Sequence, residues 1–174
     1  EFSAFARMPK PDMKSLDLRE PLREASFLVE VSRSDIEFER DFGSAPLSGT
    51  FDTRLLAQAF GNIIKNAAEA IDGRQDRSEP GAIRIQSKRD GANIRVDVID
   101  NGKGLPRENR QRLLEPYMTT REKGTGLGLA IVKHIVSRHR GQLTIESEVG
   151  EGSVFTVYLP AVPGQIVPSQ NRNN

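Results

Sequence analysis

Four short stretches of this 174-residue chain combine residue types and spacings that could do chemistry. In QAFGNIIKNAAEAI, residues 58–71, Asn62 and Asn66 stand four apart within a helical apolar pattern. Asparagine competes with the backbone for hydrogen bonds and suits a helix interior poorly. A single boundary asparagine needs only solvent. Two stacked a turn apart, beside the small Ala59 and Ala70, point to a shared ligand. An amide oxygen is a hard donor suited to Mg2+. In DVIDNGKGLP a strand ends at Asp100, and Gly102 and Gly104 follow. A carboxylate fixed at a strand end can accept hydrogen bonds from an exocyclic amine, such as the N6 amine of adenine. Glycine there lets a ligand approach the backbone, although the same letters also make an ordinary turn.

The third stretch is GTGLGLA, where Gly124, Gly126 and Gly128 alternate as a helix begins. Backbone N–H groups at a helix start favour phosphate. Arg121 and Lys123 add positive charge, and Thr119 and Thr120 add hydroxyls. This is neither a Walker A loop nor a Rossmann fingerprint, and alone it equally suits a flexible linker. The fourth stretch, VGEGSVFTV, reads as a glycine-containing hairpin turn with Ser153 entering the last strand.

These stretches need elements to position them. Asp52 is a good N-cap for a helix running to about Ile71, with Leu55, Leu56, Ala59, Phe60, Ile63, Ile64, Ala67 and Ile71 on one face. PLREASFLVEVSRS reads as an earlier helix with Pro21 near its first position. DIEFERDF reads as a half-buried strand, and LSGTF as a loop. AIRIQSK and NIRVDVID form a hairpin through RDGAN. A short helix is expected near RENRQRLLE. LGLAIVKHIVSRHR reads as a helix stopped by Gly141, and QLTIESE and SVFTVYLP as two closing strands. Residues 1–8 carry a helical apolar repeat that MPKPDM breaks. Strands come in hairpin pairs rather than alternating with helices. The fold class is therefore an α/β two-layer sandwich with a mixed, largely antiparallel sheet and helices on one face.

Composition bounds the function. Apolar residues make up 36% and charged residues 28%, as in a soluble globular chain. Net charge is +1, so no dominating attraction to nucleic acid is expected. There is no cysteine, which excludes disulfides and thiol chemistry. His134 and His139 are five apart, not the four of a helical metal pair. No apolar run is long enough to span a membrane. The chain opens EFSAFARMPKP without methionine, so a fragment of a longer protein is expected.

Taken in order, these motifs resemble the Bergerat-type ATP-binding fold shared by sensor histidine kinases, heat-shock chaperones, type II topoisomerases and mismatch-repair ATPases. NIIKNAAEAI is similar to the kinase N box, DNGKGLP to the first glycine box and LEPYMTTR to a variant F box. GTGLGLAIVKHIV is similar to the second glycine box and GEGSVFTVYLP to the closing segment. The resemblance covers roughly residues 15–160. The opening is similar to the helix end that precedes this domain in nitrogen-regulation kinases of the NtrY type.

The resemblance implies ATP and Mg2+ as cofactors. Asn66 would bind Mg2+, with Asn62 alongside directly or through water. Asp100 would read the adenine amine, and Gly102 and Gly104 would shape its pocket. Residues 119–128 would form a lid over the phosphates: Thr119, Thr120, Arg121, Lys123, Gly124, Thr125, Gly126, Leu127 and Gly128. Arg121 leads for the γ-phosphate, and Ser153 joins the nucleotide contacts. Implied partners are the protein's own upstream histidine-bearing dimerisation domain, in a homodimer, and a response regulator, with no nucleic acid. Residues 1–12 would close that upstream hairpin and link to the catalytic domain, 13–161. A disordered tail, 162–174, would follow. The setting implied is the cytoplasmic domain of a membrane-anchored kinase.

Two departures stand out. Glu69 occupies a position where many sensor kinases have a basic residue, and the F box has Tyr117 and Met118 instead of paired phenylalanines. Neither histidine precedes an acidic residue, so the phospho-acceptor is expected outside this chain. His139 is expected to complement a helix end, and His134 to pack at a boundary. A hydrolysing ATPase of this fold would need a glutamate where Asn62 stands. A degenerate nucleotide-binding module is the remaining alternative.

Overall fold

A computed structural model describes residues 8–110, 112–115 and 126–162. Among these residues, seven strands and three α-helices run in the order β1 (Lys14–Asp17), α1 (Arg19–Ser32), β2 (Ile36–Asp41), β3 (Ser48–Phe51), α2 (Thr53–Asp72), β4 (Gly81–Asp90), β5 (Asn93–Asp100), α3 (Gly128–Arg138), β6 (Gln142–Glu148) and β7 (Gly152–Pro160). Five strands form one sheet in the order β2-β4-β5-β7-β6. Only β2 and β4 pair in parallel; the other three pairings are antiparallel. This is the expected mixed sheet.

The helices pack by their apolar faces. In α1, Leu22, Ala25, Ser26 and Val29 are buried at helical spacing. In α2 the buried set is the expected stripe plus Ala68. It rests on α1, α3 and strands β4, β5 and β7. Ile83, Ile85, Ile94, Val96, Val98, Phe155, Val157 and Leu159 supply the strand side of this core. Beneath them, the other sheet face carries Arg95 bridged to Asp97, with Thr156 donating to Asp97 and Arg95 lying over the Tyr158 ring.

The structure departs from the sequence reading in four places. LSGTF is not a loop: Ser48–Phe51 pairs antiparallel with Lys14–Asp17 in a separate two-stranded sheet. The helix expected near RENRQRLLE is two 3-10 turns, Arg107–Asn109 and Arg112–Leu114. Gly141 does not stop α3 by adopting a left-handed turn. That conformation falls on Arg140, with φ 58°. Gly141 is small because a Cβ there would sit 2.3 Å from the Tyr158 carbonyl oxygen. The helix expected over residues 1–8 lies outside the described residues except for Met8, which is irregular and packs on the core.

His139 is the fourth departure: it stands at the end of α3 as expected, but its ring is buried and neutral rather than a charge complementing the helix end. Its Nδ1–H donates to the Ile135 carbonyl at 2.9 Å, and its Nε2 accepts from the Asp52 N–H at 3.0 Å. Burial holds its pKa below the ordinary value, and this bonding pattern requires the neutral ring. Asp52 in turn caps α2 by accepting from the Leu55 N–H at 2.9 Å, and it also holds the Asp12 N–H at 2.7 Å. One carboxylate thus ties the incoming chain to the first turn of α2. Asp52→Ala is expected to lower the unfolding free energy by about 1–2 kcal/mol, the usual worth of an N-cap. A urea midpoint unchanged from wild type would contradict this.

Candidate functional site

The site is built at the end of the sheet where β5 stops. Asp100 is its last residue and is 4% exposed. Its Oδ1 accepts from the Gly102 N–H at 2.8 Å. Its Oδ2 is buried and has no hydrogen-bond partner. Burial raises the Asp100 pKa to about 6, against the opposing pull of the Gly102 and Ser153 backbone amides. At neutral pH the group is therefore an ionised acceptor with one oxygen unsatisfied. Buried polar atoms without partners are rare in native folds, and a ligand or an ordered water can supply the bond.

The loop after Asp100 is locked from both sides. Asn101 accepts from the Ala82 N–H at 2.8 Å and donates to the Pro80 carbonyl at 2.9 Å. The Lys103 N–H donates to the Ala70 carbonyl at 2.9 Å, and the Gly150 N–H donates to the Lys103 carbonyl at 2.8 Å. Gly104 has φ +70°, and a Cβ there would lie 1.9 Å from the Glu148 carbonyl oxygen. A Cβ on Gly102 would lie 2.6 Å from the Ala70 Cβ. Both glycines let the loop lie flat between α2 and the β6–β7 hairpin.

Asn62, Asn66 and Ala70 follow one another at four-residue spacing along one face of α2. The two ends of that row are located by contacts. Asn62 Nδ2 donates to the Gly128 carbonyl at 3.4 Å, and Ala70 abuts Gly102. Asn66, half-buried, therefore sits between the start of α3 and the Asp100 loop. Gly126 has φ 70°, and Leu127 opens α3 without a side-chain cap. Such a helix start suits an anion. The structure thus places Asn62 beside Gly128 at one end of this α2 face and Asp100, Gly102, Gly104 and Ser153 together at the other, with Asn66 between. Thr119, Thr120, Arg121, Lys123, Gly124 and Thr125 lie outside the described residues, as do Tyr117 and Met118.

The described residues contain no cluster of three carboxylate or histidine groups that could hold a metal. A cation here would rely on an amide oxygen, water and ligand oxygens, a set that fits Mg2+. His134 is a half-buried boundary residue of α3, as expected. Sequence reasoning missed Asn101, which hides inside an ordinary-looking DNG turn. It also missed Ser147, a buried serine in β6 with no motif around it.

Residues 51–163 match the family described as histidine kinase-, DNA gyrase B-, and HSP90-like ATPase. The chain belongs to this family. It is 47% identical to the nitrogen regulation protein NtrY of Azorhizobium caulinodans over 92% of this chain and 21% of that protein. It is 37% identical to sporulation kinase C of Bacillus subtilis over 92% of this chain and 37% of that protein. The chain therefore spans between about a fifth and two fifths of these relatives. The catalytic domain of the histidine kinase ThkA, in a nucleotide-free form, superposes with a TM-score of 0.76 at 29% identity, covering 87% of this chain and 97% of that one. The mycobacterial sensor histidine kinase MprB gives a TM-score of 0.74 at 29% identity, covering 86% of this chain and 98% of that one.

The Asp100 assignment has a stability signature. Its folded pKa stands above the ordinary 3.8, so protonation favours the folded state. Stability gained from this group appears as pH falls through about 6 and is complete below 3.8. Keeping the carboxylate ionised at pH 7 costs the unliganded fold on the order of 3 kcal/mol. Asp100→Asn is expected to raise unfolding free energy at pH 7 by about 1–2 kcal/mol, because a lone buried amide is cheaper than a lone buried charge. The advantage should vanish near pH 4. The same variant should bind ATP about 100-fold more weakly. Lower stability at pH 7 with intact ATP binding would contradict the assignment.

Proposed function

We propose that this chain is the ATP-binding catalytic domain of a two-component sensor histidine kinase, spanning residues 13–161. It binds Mg-ATP and passes the γ-phosphate to a histidine outside this chain, for relay to an aspartate of a response regulator. In this reading the longer protein works as a homodimer, and this domain lies on the cytoplasmic side of a membrane-anchored sensor. No helix among the described residues is long and apolar enough to cross a membrane. The observation that carries the reading is the buried, unpartnered Asp100 oxygen at the end of β5, beside a loop whose Gly102 abuts the Asn62–Asn66–Ala70 face.

Phosphoryl transfer needs mainly positioning and charge neutralisation. Asp100 orients the base. Asn66 supplies an amide oxygen to Mg2+, with Asn62 beside it, and the bound ion would neutralise charge across the phosphates. The N-terminus of α3, with Gly126, Leu127 and Gly128, faces the phosphate chain. This reading assigns Thr119, Thr120, Arg121, Lys123, Gly124 and Thr125 to the phosphates as well, with Arg121 for the γ-phosphate. Asn62 separates this reading from a hydrolysing ATPase. An amide donating to Gly128 cannot take a proton from water. ATP held here persists until an acceptor histidine arrives.

Two measurements test this. Asn66→Ala is expected to abolish Mg-dependent ATP binding while leaving the far-UV circular dichroism unchanged; wild-type affinity in that variant would refute its role. Incubated alone with γ-labelled ATP, the chain should take up no stable label. A longer chain carrying the upstream helical hairpin should become labelled on a histidine. Rapid release of inorganic phosphate without protein labelling would overturn the kinase reading.

A further inference from the structure

Asp100, Ser153 and Ser147 form a straight row across three adjacent strands. Asp100 of β5 is directly opposite Ser153 of β7, and Ser153 is directly opposite Ser147 of β6. Directly opposed residues point to the same sheet face. All three side chains are buried. The row therefore leads from the unsatisfied carboxylate oxygen to a pair of hydroxyls.

The protons of those hydroxyls can be assigned by counting. A serine hydroxyl has one proton to donate and two lone pairs to accept with. Ser147 Oγ lies 2.9 Å from the Gly152 carbonyl oxygen, which can only accept. Ser147 must donate there. The Leu105 N–H lies 2.7 Å from the same Oγ and must donate to it. The contact between Ser147 Oγ and Ser153 Oγ, at 2.8 Å, then leaves one arrangement: Ser153 donates and Ser147 accepts. The single proton of Ser153 is committed away from Asp100. What Ser153 can offer on its other side is lone pairs alone.

We propose that Ser147 is a specificity-determining positioning residue. By holding the Ser153 proton, it leaves the base end of the cleft with hydrogen-bond acceptors only, selecting a purine with an amine at its 6-position. Adenine presents an N6 donor there, whereas guanine presents the O6 acceptor. An O6 facing Asp100 and Ser153 would meet lone pairs on both sides and leave three buried acceptors without a proton. Ser147 also joins Leu105 to Gly152, so the same hydroxyl sets both the position of the loop and the polarity of the pocket. This inference rests on the nucleotide reading above.

The test is calorimetric titration of ATP and GTP, each with Mg2+, into wild type, Ser147→Ala, Ser153→Ala, the double variant and Ser147→Thr at pH 7.5. Wild type should prefer ATP. Ser147→Ala releases the Ser153 proton to swing toward the ligand, so the preference should narrow by about tenfold. In the Ser153→Ala background, Ser147→Ala should leave the preference where it stands, because no hydroxyl remains to reorient. Ser147→Thr keeps the hydroxyl and should keep the wild-type preference. Equal losses for ATP and GTP in Ser147→Ala would overturn the proposal. So would the same narrowing in the Ser153→Ala background. Wild type binding neither nucleotide would overturn the nucleotide reading itself, and this inference with it. Wild type binding ATP, with an unchanged preference in Ser147→Ala, would overturn this inference alone.

Discussion

A buried carboxylate with one oxygen unsatisfied is the costly feature that the rest of this fold accommodates. Asp100 ends the central strand β5 and is almost fully enclosed, yet its Oδ2 has no partner. A structure that merely tolerated the residue would have turned a loop amide or a side chain onto that oxygen. Instead the neighbouring polar groups are engaged elsewhere: Asn101 on Ala82 and Pro80, Ser153 on Ser147, and Lys103 on Ala70. None of these side chains or amides turns to Asp100 Oδ2. Sites that trade stability for recognition have this character.

The apolar architecture makes that trade sustainable. Phe60, Ile63 and Ile64 of α2 are essentially inaccessible and rest against strands whose inward side chains are equally buried. Fully burying each such side chain is worth about 1.5–3 kcal/mol. The same helix carries Asn62 and Asn66 along the edge of the apolar face that anchors the core. Asp52 and His139 fix where α2 begins and where α3 ends. The spacing of α2 and α3 is then set by packed helices rather than by loops.

Much of this was legible in the sequence where local pattern decides structure. The α2 stripe, the β4–β5 hairpin and the β6–β7 hairpin follow from periodicity and turn residues. The sheet made by Lys14–Asp17 and Ser48–Phe51 was not legible. Its strands are four residues long, show no alternation, and are separated by a helix and another strand. Gly141 was misread because a helix-stop glycine and a close-approach glycine look alike until Tyr158 of a later strand is placed. The charge state of His139 was misread because its ring is buried and accepts from the Asp52 N–H, 87 residues away in sequence, which its place at the end of α3 does not reveal. Asn62, Asn66 and Asp100 stood out by type and spacing. Ser147 did not, because its importance lies in which protons its neighbours hold.

The central claim is that the Asp100 carboxylate awaits the amine of adenine. It is tested most directly by carbon-13 NMR titration of the Asp100 side-chain carboxyl, without nucleotide and with saturating Mg-ATP. Without nucleotide the carboxyl should titrate near 6, the consequence of burial without a partner. With ATP bound, an N–H donated to Oδ2 favours the ionised form, and the titration should move downward. A pKa that ATP leaves unchanged, or moves upward, would contradict the account.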